Sequence, residues 1–399
     1  MWLSKESAGL KNRFSLSEFS GALGDLGTLL PLTFALVIYN DYPPARLFLL
    51  WGIAYLASGW YYKVPVSIQP LKAMAVIAIA KGYSADFLST TAVFYGLLLI
   101  LLSASGVIRW LQNWFSPALV RGIQLGIGLI LAQKAIALVQ DKGFLLHHQS
   151  LPLWAGIGML LIVLTILYFF QFKKGYPVAI TLVGVSILVV ALLRIEPLES
   201  AEGMAAVLPS LPHWSYFADA LIFLMLPQLP LTLGNAVFAA NDACHALWGQ
   251  QAKRVNPTRL SLSIGLSDTI IGLLGGFPVC HGAGGIGAHA QFGAKTGGAT
   301  IIMGSILIIC GLFSPLSTFL FLIPVPLLGA MLLFDSWRMM TLTQRLQKKM
   351  DIFIAVLVGG ISFFTRNLSL ALAAGFLVEL SWKFYLKQIE TKTEGSDND

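Results

Sequence analysis

Two short segments that combine proline or glycine with polar residues carry the side chains best suited to bind an anion. They are residues 65–72, which end in Gln69-Pro70-Leu71-Lys72, and the glycine-rich residues 275–287. Lys72 brings a full charge into a chain that is 56% hydrophobic and only 11% charged. An ammonium group near the centre of a bilayer costs about 2.5–3.5 kcal/mol on insertion scales. Such a lysine therefore indicates either a function or a structural pair, for example with Asp25.

Both segments are predicted to lead into a short helix that starts near the middle of a membrane. Pro70 suits the first turn of a helix, where a missing N–H costs nothing, so we expect the first of these helices to begin at about Pro70. Glycine in the second segment lets a ligand approach the backbone closely. Two facing helix N-termini present unpaired N–H groups and partial positive charge, which favours an anion. The predicted substrate-binding residues are Gln69, Lys72, Gln228, Asn235, His281, Gly282, Ala283 and Gly284.

Several of these polar residues have a structural alternative. Asp25 lies among small residues in the first apolar run and is the leading candidate for coupling, but it also suits a cap or an ion pair. Gln228 lies between two prolines and Asn235 follows them. Both side chains offer hydrogen bonds either to a substrate or to a neighbouring helix. His281 suits a pH-sensitive hydrogen bond beside the anion or a cap at a helix start.

No metal site and no cofactor site is predicted. The spacing of Gly282, Gly284 and Gly287 matches a dinucleotide fingerprint, but no βαβ pattern surrounds it. The pairs Cys244-His245 and Cys280-His281 lack the spacing of metal ligands. No cluster of residues suited to catalysis is visible in the sequence, so an enzyme is not expected.

Membrane-spanning helices must position these residues. An ordinary soluble domain is about 25% charged, whereas this chain of 399 residues is 11% charged. At roughly 20 residues for each spanning helix, the length accommodates about fourteen helices and no sizeable soluble domain. The apolar runs fall into seven before and seven after a proline- and glutamate-containing stretch at residues 196–216. Asp268 and Glu379 lie within the later runs, where we expect structural pairing or an interfacial position for both.

The basic residues favour a cytoplasmic N-terminus. With that placement, eighteen of the 26 Lys and Arg residues fall on the cytoplasmic side, five fall outside, and Lys72, Arg121 and Lys134 lie within spans. This asymmetry follows the positive-inside rule and explains the basic excess without nucleic acid as a partner. We therefore expect a multi-pass protein of the cell membrane with both termini in the cytoplasm and no cleaved targeting segment.

Seven spans in each half place the second half in the opposite orientation, which is how an inverted repeat is built. The predicted fold is an all-α polytopic membrane protein of about 14 transmembrane segments, arranged as two inverted seven-helix repeats with half-helices 3 and 10. The predicted boundaries are 1–195 for the first repeat, 196–216 for an extracytoplasmic linker, 217–386 for the second repeat and 387–399 for a short polar cytoplasmic tail.

Several motifs together resemble the molybdate transporter family that is related to the SulP sulfate permeases. They are Gly24–Thr28, Gln69–Ala73, Pro227–Thr232, Pro278–Gly285 and Phe292–Gly297. The resemblance implies core and gate domains, an anion held between spans 3 and 10, and uptake of molybdate, with sulfate as a competitor. The chain departs from the family's Pro-x-Pro-Val-Gln-Pro-Met-Lys run at Ser67, Ile68 and Leu71, which leaves fine selectivity open. We also expect no cytoplasmic regulatory domain of the kind that typifies SulP permeases, and this expectation fits the molybdate branch better.

The sequence thus predicts a secondary active transporter that imports a tetrahedral oxyanion, with molybdate as the leading substrate. A sulfate permease is the main alternative, followed by a nucleobase carrier and a passive anion channel. The expected partners are the oxyanion, the lipid bilayer and a coupling proton or cation, and the sequence is compatible with a homodimer.

Overall fold

The computed structural model describes residues 11–111, 115–141, 144–145, 152–170, 178–192, 211–313 and 322–396. Within these ranges, fourteen helices of nine or more residues form, seven before the predicted linker and seven from Trp214 onward, so that the eighth begins within the last three residues of that linker. They are α1 Leu16–Asn40, α2 Pro44–Tyr62, α3 Lys72–Lys81, α4 Ala85–Ala104, α5 Pro117–Asp141, α6 Leu153–Phe170, α7 Val178–Leu192, α8 Trp214–Ala252, α9 Pro257–Leu273, α10 Ala283–Gln291, α11 Gly298–Leu312, α12 Val325–Met340, α13 Lys349–Thr365 and α14 Leu368–Ser396.

Five of the described helices, α1, α4, α5, α8 and α14, are long and apolar enough to cross a membrane by length and composition alone. Two others are notably short, since α3 has 10 residues and α10 has 9. At about 1.5 Å per residue, helices of that length reach only about half of the 30 Å hydrocarbon layer. The prediction that spans 3 and 10 are half-helices is therefore confirmed.

A two-residue antiparallel ladder joins the two broken segments in front of these half-helices. Strand β1 is Gln69–Pro70 and strand β2 is Val279–Cys280, and Gln69 pairs with Cys280 while Pro70 pairs with Val279. The prediction that helix 3 begins at about Pro70 is wrong, because Pro70 belongs to this ladder and α3 begins at Lys72.

Side chains from flanking helices satisfy the backbone of the broken segments. The Trp51 indole donates to the carbonyl of Phe277 at 2.9 Å, and Ser58 Oγ donates to the carbonyl of Val66 at 2.7 Å. On the other side, the N–H of Val279 donates to the Asp268 carboxylate at 2.7 Å. Non-helical backbone at membrane depth requires such partners, so α2 and α9 act as scaffolds for the ladder.

The helix contacts repeat with the halves exchanged, as an inverted repeat requires. Helix α2 packs on α11, and α9, its equivalent in the second half, packs on α4, the equivalent of α11. Helices α5 and α12 are equivalents of each other and pack together. Close approach depends on paired glycines, because a Cβ at Gly52 would lie 2.8 Å from the Gly304 oxygen and one at Gly96 would lie 2.6 Å from the Gly265 oxygen.

Helix α8 departs from regular geometry where its prolines lie. Two π-helical turns, Ala220–Met225 and Thr232–Phe238, flank the α-helical Leu226–Leu231, which contains Pro227 and Pro230. Proline removes a backbone donor and pushes the preceding turn open, which accounts for wide turns on both sides.

The last helix extends into the predicted polar tail. Helix α14 continues through Ser396, so most of the residues predicted as a tail, 387–399, form its last turns. Residues after 386 include Lys, Gln, Ile and Glu, which extend a helix readily. Most of the predicted linker, residues 196–216, lies outside the described residues.

Candidate anion-binding site

The ladder brings the N-termini of α3 and α10 together. Leu71 caps α3 directly after β1, and Gly282 caps α10 one residue beyond β2, each in an extended conformation. The N–H of Leu71 donates to the carbonyl of Pro278 at 3.1 Å, which fixes one helix start against the other segment. The first N–H groups of a helix have no partner within it, so two sets of donors and two positive dipole ends lie close together at this point.

Lys72 is the first residue of α3, and its ammonium lies beside Asp335 of α12. The Nζ atom is 3.3 Å from Oδ2 and 3.5 Å from Oδ1 of this carboxylate. The side chains are 22% and 12% exposed, so the pair is accessible from open space. Lys72 therefore pairs with an acid, as its structural alternative predicted, but the acid is Asp335 and not Asp25, which has other partners.

Asp25 is buried in a network between α1, α2 and β1. The hydroxyl of Tyr55 donates to Oδ2 at 2.8 Å, and Nε2 of Gln69 donates to Oδ1 at 2.5 Å. Asp25 is 1% exposed and Gln69 is 3% exposed. The structure thus connects the predicted coupling residue to a predicted substrate-binding residue through one hydrogen bond.

Gln228, which lies on α8, caps the first turn of α3. Its Oε1 accepts from the N–H of Met74 at 3.1 Å, and its Nε2 donates to Oγ1 of Thr232 at 3.1 Å, which also accepts from the Tyr95 hydroxyl at 2.6 Å. Gln228 therefore satisfies an N-terminal donor of α3 and fixes α8 against it. Asn235 lies in the second π-helical turn of α8, half-buried, with no hydrogen-bond partner for its side chain among the described residues.

Both ring nitrogens of His281 are engaged by the protein. Nδ1 lies 3.0 Å from the Ser67 carbonyl oxygen and Nε2 lies 2.7 Å from Ser263 Oγ. A carbonyl oxygen can only accept, so Nδ1 carries a proton. His281 also borders a cavity of about 410 Å³ between α2 and α9, with mostly aliphatic walls. The ring thus joins the segment that precedes β1 to α9 and helps to hold the ladder in place.

The first turn of α10 has one packed side and one bare side. A Cβ at Gly282 would collide with the Gln69 carbonyl Oε1, and one at Gly285 would lie 2.6 Å from Ser67 Oγ. By contrast, nothing lies within 4 Å of a Cβ at Gly284 or Gly287, and both are exposed. Ala283 is half-buried between these sides. The bare side leaves the backbone of α10 open to a ligand.

Other membrane acids have structural partners, as expected. Asp268 accepts from Val279 as described above, and Glu379 accepts from Ser116 Oγ at 2.6 Å and pairs with Lys383 at 2.7 Å. Glu18 accepts from the N–H groups of Lys295 and Thr296 at 3.1 and 3.0 Å. The motif Phe292–Gly297 therefore serves to hold the start of α1.

Sequence reasoning missed three contributors to the site, namely Asp335, Tyr55 and Ser263. Asp335 could have been recognised from the sequence, because it is an acid in an apolar segment, as Asp25 is. Tyr55 and Ser263 could not, since a tyrosine and a serine within spanning helices are ordinary interhelical hydrogen-bonding residues.

Comparison with known proteins gives the family. The sequence profile described as "Molybdate transporter of MFS superfamily" matches residues 17–131 and 220–339, more than half of the chain. The chain belongs to this molybdate transporter family. Molybdate transporter 2 of Arabidopsis thaliana is 26% identical over 96% of this chain and 90% of its own length. Molybdate transporter 1 of the same plant is 27% identical over 94% of this chain and 90% of its own length.

Solved structures of anion transporters share the fold of this family member. The transmembrane domain of the cyanobacterial bicarbonate transporter BicA superposes with a TM-score of 0.63 at 16% identity, covering 91% of this chain and 96% of that one. The murine anion transporter Slc26a9 in its inward-facing state gives 0.67 at 15% identity, covering 96% and 70%. The predicted architecture of inverted seven-helix repeats in a multi-pass membrane transporter is thus confirmed, and the family supports an oxyanion, above all molybdate, as the substrate.

Proposed function

We propose that this protein is a secondary active transporter that imports molybdate through the site between α3 and α10. The observation that carries the proposal is the pair of facing helix N-termini with Lys72 in the first turn of one of them. Backbone donors, two dipole ends and one ammonium suit an anion with oxygen atoms on several sides. Because its relatives are transporters, we infer that it is not an enzyme.

We propose that some residues of the site bind the anion directly and that others position these ligands. Lys72 supplies the counter-charge, and the N–H groups of Gly282, Ala283 and Gly284 supply hydrogen bonds from α10. Gln69, Gln228 and His281 act chiefly by positioning these donors. Gln228 and His281 have both polar side-chain atoms bound to the protein, and Gln69 has its Nε2 bound to Asp25. Asn235 remains a candidate direct ligand.

Asp25 is the proposed coupling residue. It is buried, carries an acid group and touches Gln69, so a proton or cation bound there would alter the site through a single hydrogen bond. We infer alternating access by movement of a core unit, which holds α3 and α10, against a gate unit that includes α5 and α12.

The protein is proposed to lie in the cell membrane with both termini in the cytoplasm. The distribution of Lys and Arg between the predicted loops supports this orientation. The boundaries proposed for the two repeats, 1–195 and 217–386, enclose α1–α7 and most of α8–α14. The homodimer likewise stays a proposal.

Uptake of radiolabelled molybdate into proteoliposomes tests this function. We expect the wild-type protein to accumulate molybdate above equilibrium when a proton or cation gradient is imposed, and sulfate to compete less well than unlabelled molybdate. Lys72→Ala should lose high-affinity uptake, whereas Lys383→Ala, which removes a lysine from the acid pair on α14, should retain it. Equilibration without accumulation under every gradient would instead indicate a passive channel, and preferred sulfate uptake would indicate a sulfate permease.

A further inference from the structure

The buried acids of this protein differ in how firmly they are held. Asp25 and Glu379 each accept two bonds of 2.5–2.8 Å, and Asp268 accepts one of 2.7 Å from a backbone N–H. Glu18 accepts two backbone N–H bonds of 3.0–3.1 Å. The carboxylate of Asp335 has Lys72 as its one hydrogen-bonding or ion-pair partner among the described residues, at 3.3 and 3.5 Å.

This difference argues against a purely structural ion pair. Charge-assisted hydrogen bonds are normally about 2.7–2.9 Å long, and a buried pair is stable when other hydrogen bonds satisfy its remaining atoms. The Asp335 carboxylate has a long contact to one partner and is partly exposed. It is therefore the buried acid that a competing anion could most easily replace.

Displacement of Asp335 from Lys72 would break a contact between two helices. Lys72 belongs to the half-helix α3 at the site, whereas Asp335 belongs to α12, which packs on α5 and α6. A molybdate dianion and the Asp335 carboxylate repel each other, so both cannot share one ammonium group favourably. An anion bound at Lys72 therefore removes a charged contact between α3 and α12.

We propose that Asp335 is the internal counter-anion of the oxyanion site, which occupies Lys72 in the empty protein and which the substrate must displace. The inference rests on the proposed function, because it assumes that Lys72 receives the oxyanion. It assigns Asp335 two effects. The carboxylate sets a threshold that weakly bound anions do not overcome, and it holds α12 against α3 until substrate arrives.

Molybdate titration of the purified protein in detergent, by calorimetry, tests the inference. Removing the competitor should tighten binding, so Asp335→Asn should lower the Kd for molybdate about tenfold relative to the wild type, and Asp335→Glu should restore weaker binding. A merely structural acid would give the opposite result, because its loss would loosen the site. Glu379→Gln, which alters a buried acid away from the site, should leave the Kd unchanged.

The double variant Lys72→Ala/Asp335→Asn separates a direct from an indirect effect. Since Asp335 acts through Lys72, the double variant should bind molybdate as weakly as Lys72→Ala alone. If Asp335→Asn does not fold, Asp335→Ser provides the same test. An unchanged or raised Kd in the Asp335 variant, with normal wild-type binding, would overturn this inference alone. Absence of wild-type binding would overturn the proposed function as well.

Discussion

At the scale of single residues, most polar side chains of the site already form hydrogen bonds or an ion pair within the protein. Asp25, Gln228 and His281 all bind protein atoms, and Lys72 faces a single carboxylate. Direct contact with the anion thus falls mainly to Lys72 and to backbone N–H groups. The other polar residues determine where those donors lie.

Asp25→Asn separates coupling from binding. The amide keeps an acceptor for Tyr55, and Gln69 can turn its own amide to meet the new N–H group, so the network loses charge but few hydrogen bonds. We expect molybdate binding and counterflow exchange to persist in proteoliposomes while gradient-driven accumulation disappears. Undiminished accumulation would show that coupling lies elsewhere.

Gln228→Ala should destabilise the protein, because it leaves the N–H of Met74 buried without its acceptor. The loss of such a partner costs about 1–3 kcal/mol. Thermal unfolding followed by circular dichroism should show a lower midpoint for this variant than for Asn235→Ala, whose side chain caps nothing among the described residues. Equal midpoints for both variants would contradict the capping role.

At the scale of elements, the β1–β2 ladder and the two half-helices form one unit. The ladder determines that α3 starts at Lys72, and α2 and α9 supply the side chains that satisfy the broken backbone. Helix α10 then presents its bare glycine side while its opposite side packs on Asp25 and Ser67.

Two adjacent glycines of α10 should respond differently to alanine. At Gly285 the new methyl group would lie 2.6 Å from Ser67 Oγ and 2.8 Å from Asp25 Oδ2, whereas at Gly284 it meets nothing within 4 Å. Overpacking of this kind costs about 1–3 kcal/mol, so Gly285→Ala should unfold at a lower temperature. Gly284→Ala should fold normally and raise the Kd for molybdate, measured by calorimetry. A normal Kd for that variant would indicate that the anion does not approach this side.

The two half-helices were predictable from the sequence, whereas the start of α3 and the partner of Lys72 were not. Hydropathy and clusters of glycine and proline identified the half-helices, because both signals are local. The start of α3 was misplaced by two residues, because strand pairing with a segment some 210 positions away overrides the local preference of Pro70. The partner of Lys72 was missed for the same reason, since Asp335 lies 263 positions away.

At the scale of the whole molecule, the inverted repeat appears as matched interfaces. The α2–α11 contact and the α4–α9 contact both use a glycine from each helix where the backbones approach. Small residues at such contacts are the usual means by which membrane helices pack closely. The two contacts therefore anchor α2 and α9, whose side chains bind the broken segments, each against a helix of the opposite half.

Gly96→Ala tests this support. A methyl group there would lie 2.5 Å from the Thr269 nitrogen and 2.6 Å from the Gly265 oxygen, which would force α4 and α9 apart. We expect a lower unfolding temperature and reduced uptake for Gly96→Ala. Gly184→Ala in α7 is the matched control, because nothing lies within 4 Å of its added Cβ. If both variants unfold alike, the glycine contact does not stabilise the core.

The central claim is that one oxyanion binds between the N-termini of α3 and α10 at Lys72. A structure determined with bound molybdate tests it most directly, because the heavy metal atom at the centre of the anion marks its position. We predict a single strong peak in front of the first turns of α3 and α10, within hydrogen-bond reach of the Lys72 ammonium through its oxygen atoms, with the Asp335 carboxylate moved away. A peak elsewhere in the protein, with Lys72 still paired to Asp335, would contradict the account.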